Sequence, residues 1–332
     1  LFVLRRPQKG SALYSPYHQP SSGLLNSAIF VRDMLRRHGV ASHLVEVLDS
    51  NDIDREVARH NPDVVILEAV WCPPAKLVEL TKLHRHKHRQ WIVRNHSELP
   101  FLSMEGNALD WLLTYPTIRG VTVACNSPFA ALEIEQLIDR AILLLPNYYP
   151  VTETCHRDHH RHTLDIACFG AIRPLKNHLE QASAAILFAR QMGEPLRFHI
   201  NASRIEGKGE PILKALRALF AHVPDATLVE HEWLSHHRFV ELCRTMDLGL
   251  QVSFSETFNI VAADLVNQGV PVVGSKELPW LPDAFAANPT NAFDIVDKMT
   301  YAIDHGADKE RRALAEYSEE SAKRWLRWLR ID

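Results

Sequence analysis

Residues 252–275 read V-S-F-S-E-T-F-N-I-V-A-A-D-L-V-N-Q-G-V-P-V-V-G-S. An apolar run over 247–252 leads in, a helical pattern follows over 257–268, and a second apolar run ends it at 271–274. Strand, helix and strand in that order predict a parallel β-α-β unit with a right-handed crossover. The loop into the helix carries Glu256, and Asp264 lies eight residues further on. One acid is enough to answer a helix dipole, so the pair needs a separate account.

The same alternation runs outward in both directions. In the first half, strands are expected at 1–5, 43–48, 64–70, 90–94, 121–125 and 142–145, with amphipathic stretches between them. The clearest is 24–38, where Leu24, Ala28, Val31 and Leu35 share a face. Around 150–162 the pattern breaks into a polar stretch with no apolar period. It restarts with strands near 164–169, 196–201 and 227–230 and helices over 177–192, 210–222, 236–245 and 291–304. The reading is α/β: two doubly wound parallel-sheet domains, 1–150 and 164–306, joined by a linker at 151–163. A final helix within 307–332 brings Trp325, Trp328 and Leu329 to one side, and it is expected to pack across the domain junction. An ordinary surface helix or an oligomer contact is the alternative.

A chain of 332 residues exceeds what one hydrophobic core usually serves, which agrees with two domains. Its 46% apolar and 23% charged residues are ordinary for a globular protein. The net charge is -3 and neither half is strongly basic, so nothing global points to nucleic acid or an anionic membrane. No apolar run approaches the roughly 20 residues of a membrane span. The opening L-F-V-L-R-R-P reads as a buried strand and not as a signal peptide. Five scattered cysteines (Cys72, Cys125, Cys155, Cys168 and Cys243) point to a reducing cytoplasm. Of the 19 histidines, His84, His86 and His88 form one cluster, and His156, His159, His160 and His162 form another. Neither has metal-ligand spacing, so both read as solvated loops and no metal is expected.

The strand ends carry the chemistry. After 164–169 comes G-A-I-R-P-L-K-N-H, where Gly170 permits a tight turn and Arg173 and Lys176 set two cations before a helix. After 247–252, the backbone N–H groups of Thr257, Phe258, Asn259 and Ile260 can aim at an anion. Glu256 lies in the loop, and Asp264 about two turns along the helix, at ~1.5 Å per residue. Two separated acceptors flanking a pyrophosphate suit two polyols, a ribose and a sugar. A nucleotide-sugar has that shape.

With F-G-A-I-R-P-L-K-N-H at 169–178, S-F-S-E-T-F-N-I-V-A-A-D at 253–264 and G-V-P-V-V-G-S at 269–275, the chain resembles the retaining glycosyltransferases of family 4. The resemblance covers the second half well and the first in outline. It implies the GT-B fold, with two facing Rossmann-like domains, an interdomain cleft and a C-terminal crossover helix. It implies transfer of a hexose or pentose from a nucleotide-sugar, UDP-linked as a first guess, to an acceptor hydroxyl with retention and without a cofactor. Glu256 would hold the transferred sugar, Asp264 the ribose, and Arg173 and Lys176 the diphosphate, with the 257–260 amides assisting. His96 would stand near the transferred sugar, although a histidine satisfied by its own loop weighs equally. Gly23, in S-S-G-L-L-N-S after Ser21 or Ser22 as a cap, would let the backbone approach the donor. The stretches 199–204, with Ser203, and 231–234, with Trp233, would hold the base, Trp233 by stacking unless it fills the core. Arg94, Asn95 and Asn126 would face the acceptor, although Asn126 and Ser127 also read as a turn and a helix cap.

The acceptor expected is a glycan, a lipid-linked sugar or a small metabolite. A hydroxylated base in DNA, met by Arg85, Lys87 and Arg89, is the alternative, and it would place the protein in the host cytoplasm if it were of phage origin. A nucleotide-sugar binder without turnover is the third reading. Two departures from the family pattern stand out: the second acid is an aspartate, and Thr257 follows Glu256.

Overall fold

The computed structural model describes residues 1–6, 22–152 and 162–331. Ser21, Cys155, His156, His159 and His160, with most of the expected linker, lie outside the described residues. The chain divides into two compact units. One holds residues 1–6, 22–150 and 318–331, and the other 151–152 and 162–317.

The first unit runs β1 (Phe2–Arg5), α1 (Gly23–Arg37), β2 (Leu44–Val47), α2 (Asp52–His60), β3 (Val64–Glu68) and α3 (Pro74–Lys82). It continues through β4 (Gln90–Asn95), α4 (Leu99–Leu102), α5 (Ala108–Thr114), β5 (Val121–Cys125), α6 (Pro128–Ile138) and β6 (Leu143–Leu144). Its six strands are parallel, in the order β2-β1-β3-β4-β5-β6. Successive side chains alternate between two apolar layers, as a sheet covered on both faces requires. Val3, Val65, Leu67, Val93 and Val123 enter one layer, and Phe2, Ile66, Ile92 and Ala124 the other.

The second unit runs β7 (Leu164–Ala167), α7 (His178–Met192), β8 (Leu196–Asn201), α8 (Glu210–Ala221), β9 (Ala226–His231) and α9 (His236–Cys243). Then come β10 (Leu248–Gln251), α10 (Ile260–Asn267), β11 (Val272–Gly274) and α11 (Ala292–His305). Its sheet is also wholly parallel, in the order β11-β10-β7-β8-β9. The reversal of direction at β7 and β10 is the topological switch, and ligands bind beyond the carboxyl ends of strands at such a point.

The last helix, α12 (Asp308–Trp328), belongs to both units. In the second unit both carboxylate oxygens of Glu310 accept from the Val272 N–H, at 3.1 and 3.2 Å. Burial raises the Glu310 pKa well above the usual carboxylate range. In the first unit Trp325 is fully buried, tilts against Phe2 and donates its indole N–H to Pro146 O at 2.8 Å.

One expected boundary moves. The helix read as 257–268 begins at Ile260, because Asn259 adopts a left-handed conformation (φ 63°) as its N-cap. The four described cysteines are all buried and free. The segment of His84, His86 and His88 is a 3₁₀ turn over His84–His86 in which His86 is buried. His86 bonds Asp54 at 2.7 Å and accepts from Arg89 Nε at 3.1 Å. Arg85 is drawn to Asp54, and Arg89 to Asn61, so two of the three cations proposed to meet DNA are engaged with the protein instead.

Candidate functional site

At the carboxyl ends of β7 and β10, Lys176 Nζ donates to Glu256 Oε1. Both side chains are about nine-tenths buried. Burial lowers the Lys176 pKa, Glu256 works against that fall, and the charge on Arg173 adds to it. Taking two charges out of water is costly unless further hydrogen bonds complete them. Here Asn259 Nδ2 supplies such a bond to Glu256 Oε1 at 3.2 Å and also reaches Gln251 Oε1 at 2.8 Å. Gln251 is anchored in turn, donating to Phe169 O at 3.0 Å.

Local backbone geometry sets this pair in place. Gly170 has φ 121°, a region open in practice to glycine alone, and its N–H donates to Asn201 Oδ1 at 2.9 Å. Arg173, Pro174 and Lys176 lie in a short 3₁₀ turn ending at Asn177, which is also left-handed. Asn177 Nδ2 ties that turn to Val252 O (3.1 Å) and Pro289 O (2.7 Å). The side chain of Asn259 caps α10 by accepting from Ala262 N at 3.0 Å. Among the described residues, the N–H groups of Phe258, Asn259 and Ile260 have no acceptor. Phe254, in the same loop, lines a cavity of about 550 Å³ with Ser275, Lys276 and Pro289.

The other second-unit candidates are held as follows. Asp264 is 1% exposed and accepts from His236 Nε2 at 2.9 Å. Burial opposes charge on His236, but the hydrogen bond and charge of Asp264 outweigh it and raise the pKa. Arg173 pairs with Glu206 at 3.5 Å, and Arg204 donates to the same carboxylate at 2.6 Å. Arg204 lies over the Trp233 ring, 4.3 Å from its centroid, and Ser203 Oγ accepts from Trp233 N at 2.7 Å. Trp233 is half-buried and fills no core. The Phe258 ring is core, packed on Trp280 and Tyr317, so only its backbone is available to a ligand.

His178 opens α7 and is 1% exposed. Burial, with Lys176 and Arg173 nearby, pushes its pKa down to about 3. Neither ring nitrogen has a hydrogen-bond partner among the described residues. Sequence reading passed over His178, Gln251, Asn177 and His236. Asn177 and His178 lie within the quoted motif at 169–178 and Gln251 adjoins the stretch 252–275, so the polar-at-strand-end pattern that singled out Arg173 applies to them too.

In the first unit the candidates assemble differently. Arg94 is fully buried. It forms an ion pair with Glu68 at 3.2 Å and bonds Leu145 O at 2.9 Å and Asn147 Oδ1 at 2.7 Å. Its guanidinium sits 5.2 Å from the Trp325 ring centroid. It cannot face an acceptor: every donor direction named points into protein. Burial favours protonation of Glu68, but Arg94 and then His96 hold its pKa below the usual range. His96 bonds the same carboxylate; burial and Arg94 depress its pKa against the pull of Glu68. A neutral His96 donating to an ionised Glu68 results.

Asn95 and Asn126 are also corrected as acceptor groups, each being 1% exposed. Asn95 closes a turn on Ser97, donating to its carbonyl at 2.7 Å and accepting from its N–H at 3.1 Å. Asn126 precedes Ser127, the N-cap of α6. Gly23 is the first residue of α1 after the cap Ser22, and a Cβ there would meet nothing within 4 Å, so no close approach demands a glycine. No group of three or more His, Cys, Asp or Glu among the described residues is placed to hold a metal ion. No helix among them is long and apolar enough to cross a membrane.

No protein-family model matches the chain, and no curated protein matches its sequence. Solved structures do match. Sucrose-phosphate synthase from Thermosynechococcus elongatus has a TM-score of 0.69 at 13% identity, over 99% of this chain and 98% of its own. HepE from Anabaena, in complex with UDP and glucose, has a TM-score of 0.62 at 14% identity, over 97% and 95%. The fold is GT-B. A variant of S. aureus TarM, in complex with fondaparinux, α-GlcNAc-glycerol and UDP, has a TM-score of 0.63 at 15% identity. That match covers 82% of this chain but only 57% of the TarM chain. At these identities the likeness concerns the GT-B architecture, not the chemistry carried on it.

Proposed function

We propose that the second unit binds a nucleotide-sugar and that the protein transfers the sugar to an acceptor hydroxyl with retention at the anomeric carbon. The observation that carries this reading is the buried Lys176–Glu256 pair beside the open N–H groups at residues 258–260. Without ligand, cation and carboxylate neutralise each other. A donor gives each a separate partner: the diphosphate takes Lys176 and the backbone N–H groups, and the sugar hydroxyls take Glu256. Arg173, on its Glu206 tether, adds charge on the phosphate side. In the reaction the bond from the anomeric carbon to the diphosphate oxygen breaks, and its electron pair goes to the phosphate. The acceptor oxygen bonds on the same face and passes its proton to the leaving phosphate oxygen. Charge builds on the leaving phosphate, where a well-placed donor is worth about 3–4 kcal/mol by analogy with oxyanion sites.

Solved proteins of this fold that carry UDP, and UDP with glucose, support a UDP-linked donor. A glycan or small metabolite is the proposed acceptor. The test is release of nucleoside diphosphate from UDP-, GDP- and ADP-glucose, alone and with pooled glycan acceptors. At least one donor is expected to turn over, and Glu256→Gln to slow it by roughly 100-fold. If no donor binds or turns over, the reading is wrong.

A further inference from the structure

A second polar chain crosses the sheet of this unit. Asp165 on β7 accepts from His199 Nε2 at 2.9 Å, and His199 Nδ1 lies 2.9 Å from His231 Nε2. Strand register explains the geometry. His199 stands opposite Ala167, two residues beyond Asp165, and His231 opposite Asn201, two residues beyond His199. The side chains therefore climb two residues per strand toward the carboxyl edge and alternate onto one face. Asp165 is 1% exposed and His199 6%, while His231 ends β9 half-buried, with Phe169 edge-on to its ring. The two imidazoles are nearly parallel, 14° apart, so the hydrogen bond runs close to their common plane.

We propose that His231, its tautomer fixed by Asp165 through His199, accepts a hydrogen bond from the ring N–H of the donor's nucleobase. This rests on the nucleotide-sugar reading above. Asp165 is already paired with Arg197 at 2.6 Å, and that charge with the histidine bond keeps it ionised, its pKa held down to about 2 although burial works the other way. With both imidazoles neutral, one proton arrangement satisfies the chain. His199 donates from Nε2 to Asp165, His231 donates from Nε2 to His199, and His231 Nδ1 is left as an acceptor. Burial and His199 both disfavour a charged His231.

The position suits a base. Lys176 follows β7, and β9 lies two strands further out. Two strand spacings put His231 on the order of 10 Å from the diphosphate end, leaving room for a ribose. An acceptor there selects uracil or guanine, which carry a ring N–H beside a carbonyl, over adenine, which has none. His231 is then a specificity residue, and Asp165 and His199 are positioning residues.

Calorimetric titration of the whole chain with UDP, GDP and ADP, and with 3-methyl-UDP and 1-methyl-GDP, tests this. UDP or GDP is expected to bind more tightly than ADP, and methylation of the ring nitrogen to weaken that ligand about tenfold. His231→Ala should abolish the methylation effect, and His199→Phe should reduce it by unlocking the tautomer, an outcome general loss of stability would not produce. If His231→Ala does not fold, His231→Phe keeps the packing on Phe169 and carries the same reading. A methylation effect absent from the wild type, or unchanged in the His231 variants, overturns the inference and leaves the nucleotide-sugar reading standing. Failure of all three parent nucleotides to bind overturns both.

Discussion

Two residues, Lys176 and His178, stand either side of Asn177, and burial lowers the pKa of both. Lys176 has Glu256 to work against that fall, whereas His178 has no such partner and gives up its charge. Lys176→Ala is expected to lower kcat by roughly 100-fold or more with the melting transition retained, measured by initial rates beside thermal denaturation. Near-normal turnover would remove its role. For His178 the folded pKa lies near 3, below the ordinary 6.5. Protons therefore bind the unfolded chain preferentially between those values. Stability from this group is complete above pH 6.5 and is lost as pH falls, at up to about 1.4 kcal/mol per unit. His178→Leu should flatten that slope in urea titrations at pH 7 and pH 5. It should not destabilise the protein at pH 7, since two unpartnered buried nitrogens go with it. Motif spacing made Lys176 and Glu256 legible in sequence. Arg94 misled because a polar residue near the end of a strand reads the same whether it faces a ligand or a buried Glu68 opposite it on the neighbouring strand.

Among elements, the strands were the most readable part. Parallel strands covered on both faces are short apolar runs bounded by polar residues, and all eleven fall where such runs are read. The start of α10 was less readable. Periodicity alone extends it back to Thr257, whereas the left-handed Asn259 delays it by three residues and leaves its neighbours' N–H groups open. Asn259→Gly keeps the permitted backbone but loses the cap to Ala262 and the bonds to Gln251 and Glu256, at a cost of about 1 kcal/mol. Asn259→Ala adds a Cβ at positive φ and is expected to cost about 2 kcal/mol. Equal losses for the two variants in urea denaturation would show that φ is not constrained there. The shorter second acid, Asp264, is bound to His236, a partner on α9 that no local spacing could reveal.

At the scale of the whole molecule, α12 was legible in sequence through its apolar side, Trp325, Trp328 and Leu329, and was expected to be shared by the two domains; residues 308–317 belong to one unit and 318–328 to the other. Trp325 closes the first unit's core over Arg94 and Phe2. Trp325→Ala is expected to destabilise that unit by about 3–5 kcal/mol, seen as an early unfolding transition in calorimetry. A single unshifted transition would contradict its role in that core. The claim on which the functional account depends is that Lys176 and Glu256 exchange each other for a nucleotide-sugar. The most direct measurement is a crystal structure with the non-transferable phosphonate analogue of whichever donor binds. The account predicts a phosphate oxygen on Lys176 Nζ and a sugar hydroxyl on Glu256, with the mutual ion pair opened. A ligand bound elsewhere, or a Lys176–Glu256 pair still closed beneath it, would contradict the account.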